Sequence, residues 1–368
     1  MISEPPFTTA EMSRVFSAAN QVGLFCRFEA ELAAAQAQIG TVPAPAAAAI
    51  AAACAEPIED PERLLSRGWE AGTPLIPLLD ALRARLDPKA AGSLHRGTTT
   101  QDVVDTALVL QMKAGLGLIG ESLGAVARRL ADLTAALGAT PLVGSTFLQP
   151  AHPTTLGAKA ALWLAPLLGL IPELRDRIGS LPIQLGGPVG DLASFGHRGP
   201  ELMEAVADRL GLATPVAPWH TDRSPVTATV ALVERVAAAM AKIASDVAFL
   251  ASAGSVQTGS GGSSSMPGKR NPTDAIVALA AVEVCHAMAA GVLGARAHER
   301  ERGLGTWHAE WAMVPIVFQA AAASVESVGR CMAAVEIDGG NEEEMTDVVD
   351  TSPLIDRVLD AHERQRES

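Results

Sequence analysis

Residues 262–272 read Gly-Ser-Ser-Ser-Met-Pro-Gly-Lys-Arg-Asn-Pro, inside a polar stretch, 254–274, that is the one long break in a chain otherwise rich in Ala, Leu and Val at helical spacing. Gly254, Gly259, Gly261 and Gly262 supply backbone freedom, because glycine accepts dihedrals that other residues avoid. Ser263, Ser264 and Ser265 offer three consecutive hydroxyls, and Lys269 and Arg270 bring positive charge. Asn271 and Pro272 have the residue types of an N-cap and a first helical position, with Asp274 placed to complete a box-like start. The stretch reads as a lid that closes over an anion and excludes water. Composition alone favours a solvated Gly/Ser linker over the lid. A phosphate-cradling loop is excluded, since Arg270 stands where Ser or Thr is required and no strand precedes it.

Working outward, long helical patterns predict helices at about 102–138, 224–253, 272–297 and 307–335, with further ones at 8–40, 75–87 and 200–211 and a short Ala-rich one ending near Cys54. Residues 56–74 read as irregular, and 141–155 as a lead into a helix ending near Gly179. Four or five long helices with little else predict an all-α fold, a long-helix bundle. The units expected are a small N-terminal helical domain over 1–106, a central bundle over 107–335 and a truncated C-terminal segment over 336–368.

The chain of 368 residues is 48% hydrophobic with only 4% aromatic residues, so its core is expected to be filled by Ala, Leu and Val on closely packed helices. A net charge of −13 argues against a nucleic-acid partner. No apolar run escapes interruption by Gly, Pro or charge, and the N-terminus is polar, so neither a membrane span nor a signal peptide is expected. Cys26, Cys54, Cys285 and Cys331 are scattered without metal spacing, which predicts reduced thiols, a cytoplasmic protein and no metal or organic cofactor.

A second polar concentration, His95-Arg-Gly-Thr-Thr-Thr-Gln-Asp-Val-Val-Asp-Thr106, precedes the first long helix. A helix start presents unpaired N–H groups and the positive end of the dipole, which suits a carboxylate, although a simple capping segment has the same composition. The stretch 298–311, with Arg302, Trp307, Glu310 and Trp311, reads as a charged surface turn with aromatic packing.

Residues 262–272 resemble the signature of the fumarase/aspartase superfamily, G-S-S-x-M-P-x-K-x-N-P. Residues 95–106 resemble its H-x-G-x-T-S-Q-D-x-x-D-T block with Thr100 for Ser, and 144–159 resemble its R-T-H-x-Q-x-A-x-P-T-T-x-G-x-K block. The resemblance implies that Ser263 handles the carbon-bound proton, with His95 as a second proton-handling candidate. It implies substrate contacts from Thr99, Thr100, Gln101, Gln149, Lys269, Asn271 and Arg302, the last in Glu301-Arg302-Gly303 where the family has E-R-D. It also implies a homotetramer with active sites shared between subunits, acting on a small polycarboxylate.

Two positions depart from the superfamily pattern together. Phe147 stands in place of a histidine and Ile276 in place of a glutamate that are hydrogen-bonded in the lyases. Loss of one alone would strand the other without a partner. An amine or hydroxide leaves poorly unless protonated, whereas a carboxylate, with a pKa near ~4, leaves unaided. With the runs Trp219-His-Thr221 and Trp307-His-Ala-Glu-Trp311 and the short C-terminus, this resembles the superfamily's cycloisomerase branch. The implied reaction is lactonisation of a carboxymuconate in protocatechuate breakdown. An adenylosuccinate- or argininosuccinate-type lyase and a non-catalytic structural member are the alternatives.

Overall fold

The computed structural model describes residues 7–70, 72–258, 261–262, 265–266, 268–337 and 349–367. The N-terminal part is a cluster of short helices: α1 (Ala10–Val15), α2 (Ala18–Gln38), α3 (Ala44–Ala55), α4 (Pro61–Glu70), α5 (Leu75–Arg83) and α6 (Pro88–Ala91). Ser17 caps α2 by accepting from Asn20 N–H, and Asp87 caps α6. The break between α1 and α2 interrupts the single helix expected over 8–40. Residues 56–74, expected to be irregular, include α4, whose start is tied by Asp60 accepting from Arg63 N–H at 3.0 Å. Phe25, Phe28 and Leu32 of α2 form the centre of this cluster.

The remainder is a bundle. Helix α7 (Thr100–Ala136) is followed by strands β1 (Pro141–Thr146) and β2 (Gln149–Thr155), then α8 (Leu156–Ser180), α9 (Gly199–Leu210) and α10 (Ser224–Ala253). Strand β3 (Val256–Gln257), α11 (Thr273–Gly294), α12 (Thr306–Ala333), β4 (Glu336–Ile337) and α13 (Ser352–Glu367) complete it. Residues 100–106, expected in the first unit, are thus the first turns of the long helix. The β1/β2 hairpin is an unexpected antiparallel element, bulged between Val143 and Ser145. At 37 residues α7 spans about 55 Å, and the 22 residues of α11 span about 33 Å.

Hydrogen bonds and ion pairs fix the direction of each long helix. Arg223, at the start of α10, and Trp307, in the first turn of α12, both reach Asp105 in the second turn of α7. At the other end, Arg129 of α7 donates to the Met332 carbonyl of α12 at 3.1 Å. Helices α7, α10 and α12 are therefore parallel, and α8 and α11 run back between them. One end of the bundle gathers the starts of α7, α10 and α12. The opposite end gathers the hairpin, the start of α11 and the described residues of 254–274.

The core is Ala, Leu and Val with few rings, as the composition implied. Small residues allow close approach. A Cβ on Gly157 would lie 2.6 Å from Gly138 Cα, where α8 begins against the end of α7. Five helices, α7, α8, α10, α11 and α12, are long and apolar enough to cross a membrane by length and composition alone, although each carries the interruptions that argued against a span. Several apolar side chains on them are exposed in the single chain, Leu162 at 60% and Ile276 at 53% among them.

Gly157→Ala is expected to destabilise the chain by about 1–3 kcal/mol, because backbone rather than a flexible side chain must yield. Gly23→Ala in α2, where no atom lies within 4 Å of the added Cβ, should stabilise by about 0.5–1 kcal/mol. Urea midpoints of the two variants check the opposed signs.

Candidate active site

The anion-binding residues foreseen in 95–106 sit at the start of α7. Thr99 is the N-cap and Thr100 the first helical residue. Arg302, in the loop between α11 and α12, donates from Nη2 to Thr99 Oγ1 at 3.1 Å and to the Pro188 carbonyl at 3.3 Å. Residues 203 apart in sequence thus place a guanidinium and a hydroxyl together at the positive end of a long helix dipole, a geometry that favours a carboxylate.

What holds this corner is Asp102, fully buried one turn into α7. Its Oδ2 accepts from Thr98 Oγ1 at 2.9 Å, Thr99 N–H at 3.0 Å and Gly187 N–H at 2.9 Å. Its Oδ1 accepts from Gly186 N–H and lies against His220 Nε2, each at 2.8 Å. The Gly-rich connection 184–190 is thereby tied to the helix start. At Gly187 φ is +77° and a Cβ would lie 2.4 Å from Ser194 Oγ, so only glycine suits the approach.

Beneath it lies a second buried cluster. Arg223 donates to Asp105 at 2.7 and 3.0 Å and to Glu310 at 3.1 and 2.6 Å, and its guanidinium lies 5.0 Å from the Trp219 ring centroid. Trp307 Nε1–H donates to Asp105 at 2.9 Å. Burial opposes the Arg223 charge, but Asp105 and Glu310 outweigh it and raise its pKa. Two carboxylates share one cation, and burial pushes the Glu310 carboxyl up from its usual range, with Asp105 adding to the shift. His298, 3.6 Å from Glu310, is depressed by burial first and by Arg223 second, so it is neutral at neutral pH. The stretch 298–311 is therefore no simple surface turn. Glu310 and the His298 side chain are internal because their partners lie on α7 and just before α10.

Gln101 has no exposed surface; its amide donates to Asp105 and to the His220 carbonyl. Its place is thus within the support of the corner. His95 holds Glu29 of α2 at 2.6 Å. Lys159 pairs with Asp246 at 3.5 Å between α8 and α10.

The remaining candidates lie at the other end of the bundle. Asn271 does not cap α11. Its N–H donates to the Gly261 carbonyl at 2.6 Å and its side-chain amide to the Gly262 carbonyl at 3.0 Å, forming a neck between 261–262 and 271. The N-cap position falls to Pro272, without a side-chain bond, and Asp274 pairs with Arg330 at 2.9 Å. A Cβ on Gly261 would lie 1.9 Å from Thr273 Oγ1, so the neck admits only glycine. Arg270 donates to Gln257 at 3.1 Å, and Lys269 is exposed at the loop's exit. Ser263 lies outside the described residues. Gln149 lies at the hairpin tip beside Phe147, which is 100% exposed with φ +51°. Among the described residues no three metal-ligating side chains converge.

The length of α11 separates the Arg302 corner from Asn271 by roughly 30 Å, more than a small polycarboxylate can bridge. Sequence reasoning missed Asp105, Arg223, Glu310 and His298. Glu310 lay in a quoted run and Arg223 two residues beyond another, and their 87-residue separation is what hid the pairing.

A family model described as lyase matches residues 8–286. The chain is 38% identical over 346 residues to a 3-carboxy-cis,cis-muconate cycloisomerase of Pseudomonas aeruginosa, covering 90% of this chain and 74% of the relative. It is 36% identical over 351 residues to a nitrosuccinate lyase of Streptomyces davaonensis, covering 90% and 73%. The crystal structure of the 3-carboxy-cis,cis-muconate lactonizing enzyme from Pseudomonas putida superposes with a TM-score of 0.85 at 34% identity, covering 96% of this chain and 78% of that one.

A neutral buried His298 carries a pH signature. Its folded pKa lies below the ordinary value of 6.5, so its contribution is intact above pH 6.5 and is lost as the unfolded chain takes up the proton below it. His362, also depressed by burial, acts with the same sign. Stability should fall between pH 7 and 5 by at most ~1.4 kcal/mol per pH unit for each histidine. In His298→Asn the fall should be shallower, as urea midpoints across that range would record.

Proposed function

The chain belongs to the lyase family of the fumarase/aspartase superfamily, and from that premise we propose that it catalyses the lactonisation of 3-carboxy-cis,cis-muconate to 4-carboxymuconolactone. The observation that carries this reading is a cationic, hydroxyl-bearing corner at Thr99 and Arg302 combined with an apolar residue at 147, where the acid-dependent lyases keep a histidine. A carboxylate is a weakly basic group that neither enters nor leaves with a proton, so no acid is required at that place.

In the proposed reaction, one substrate carboxylate oxygen bonds to a carbon of the conjugated diene. The displaced electron pair moves toward the neighbouring carboxylate, which becomes an enediolate. Arg302, Thr99 and the N-terminus of α7 stabilise that charge, with Lys269 and Asn271 on a second carboxylate. The Ser263 hydroxyl then gives its proton to the carbon and is reprotonated from solvent. Backbone N–H groups of the loop and Lys269 lower the cost of the transient alkoxide.

Because the two groups of residues sit at opposite ends of one bundle, a complete site takes its corner from one copy and its loop from another. The exposed apolar faces of α8 and α11 support that association, and a homotetramer is the proposed form. Ile276 and Phe147 would then meet a neighbour rather than water.

The identity to a nitrosuccinate lyase supports a second reading, elimination of another weakly basic group from a succinate skeleton. Incubating the pure protein with 3-carboxymuconate should bleach the diene absorbance. No bleaching, with fumarate released from nitrosuccinate or adenylosuccinate instead, would reject the lactonisation. Ser263→Ala should lower kcat on the order of 10³-fold; unchanged turnover would reject its role. Mixing inactive Ser263→Ala and Arg302→Ala chains under conditions that allow subunit exchange should restore activity, and no recovery would reject shared sites.

A further inference from the structure

Glu29 is a carboxylate in the middle of α2, 1% exposed, on the face that carries Phe25, Phe28 and Leu32. Its Oε1 meets His95 Nδ1 at 2.6 Å, and its Oε2 has no hydrogen-bond partner among the described residues. A buried carboxylate costs several kcal/mol, and an apolar residue would fill such a helix face more favourably. One half-used carboxylate is therefore a poor structural solution. It caps no helix, since the ends of α2 lie at Ser17 and Ile39.

His95 is itself held in a costly conformation. Its φ is +58°, in the left-handed region that a non-glycine residue enters at a penalty. The segment is fixed on both sides: Gln36 donates to the Arg96 carbonyl at 2.8 Å, Arg96 donates to the Thr41 carbonyl at 3.0 Å, and Ser194 donates to the Gly97 carbonyl at 2.5 Å. The side chain keeps 15% of its surface open while that of Glu29 keeps none. With Nδ1 turned to the buried carboxylate, the second ring nitrogen, Nε2, is the one left for a ligand. His95 lies four residues before Thr99, at the same helix start as the Arg302 corner.

We propose that Glu29 is a positioning residue: it holds His95 in the Nδ1–H form, so that Nε2 is presented to substrate as the proton acceptor or, when protonated, as the donor to a substrate carboxylate. A carboxylate behind an imidazole fixes both tautomer and ring orientation. The proposal rests on the lactonisation reading for the role of His95, but the placement of the proton does not depend on it.

Three measurements test it. Neutron diffraction from crystals of the full chain should show hydrogen on His95 Nδ1 facing Glu29; hydrogen on Nε2 with Nδ1 bare would overturn the proposal whatever the substrate. Glu29→Gln should lower kcat for 3-carboxymuconate on the order of 10²-fold, with KM changed much less and Glu29→Asp recovering part of the loss; an unchanged kcat would overturn it. In a His95→Gln background the Glu29→Gln substitution should have no further effect on kcat. A persistent loss there would mean that Glu29 acts on the fold rather than through the imidazole. If the wild-type protein turns over no carboxymuconate, the functional reading fails on its own and the neutron result alone decides the role of Glu29.

Discussion

Two buried carboxylates on the first turns of α7 govern the architecture of the candidate site. Asp102 gathers Thr98, Thr99, Gly186, Gly187 and His220, and Asp105 receives Arg223 and Trp307. Thr98 and Thr99 lead into the helix itself, but Gly186, Gly187, His220, Arg223 and Trp307 come from distant parts of the chain and would lose their partner if α7 were displaced. A charge-assisted hydrogen bond in such a dry site contributes more than a neutral one, and its loss costs more still. Buried ion pairs are poor devices for stability alone. Here they align the starts of three parallel helices and present Arg302 and Thr99 toward the end of the bundle.

The same arrangement explains the division of the candidate residues. Parallel α7, α10 and α12 put the Thr99 and Arg302 corner at one end. The reversal through α11 puts the Lys269 and Asn271 loop at the other, about 33 Å of helix away. An alanine-rich bundle with apolar residues such as Leu162 left exposed is suited to packing against further copies. The chemistry proposed calls for a juxtaposition of bundles as much as for any one loop.

The long helices were legible in the sequence because their apolar periodicity runs over twenty residues or more. The block at 95–106 was legible because its polar residues stand immediately before such a pattern. The β1/β2 hairpin was not, since Pro141, Gly144, Pro150 and Pro153 look like loop residues and the strands pair chiefly with one another. Asn271 was read as a cap from its place before Pro272, but its amide is used across the loop neck. The burial of Arg223 and Glu310 was hidden for a different reason. Charged residues in polar runs look solvated until their partners are known, and those partners lie on other helices.

Asp102, through its bonds to Thr98, Thr99, Gly186 and Gly187, holds the proposed anion-binding corner in shape. The most direct measurement is calorimetric titration of an unreactive tricarboxylate, propane-1,2,3-tricarboxylate, into the wild-type protein and into Asp102→Asn of equal helical content and assembly state. Affinity should be weakened by about tenfold or more in the variant, the equivalent of one hydrogen bond misplaced in the corner. Equal affinity in the two proteins would contradict it.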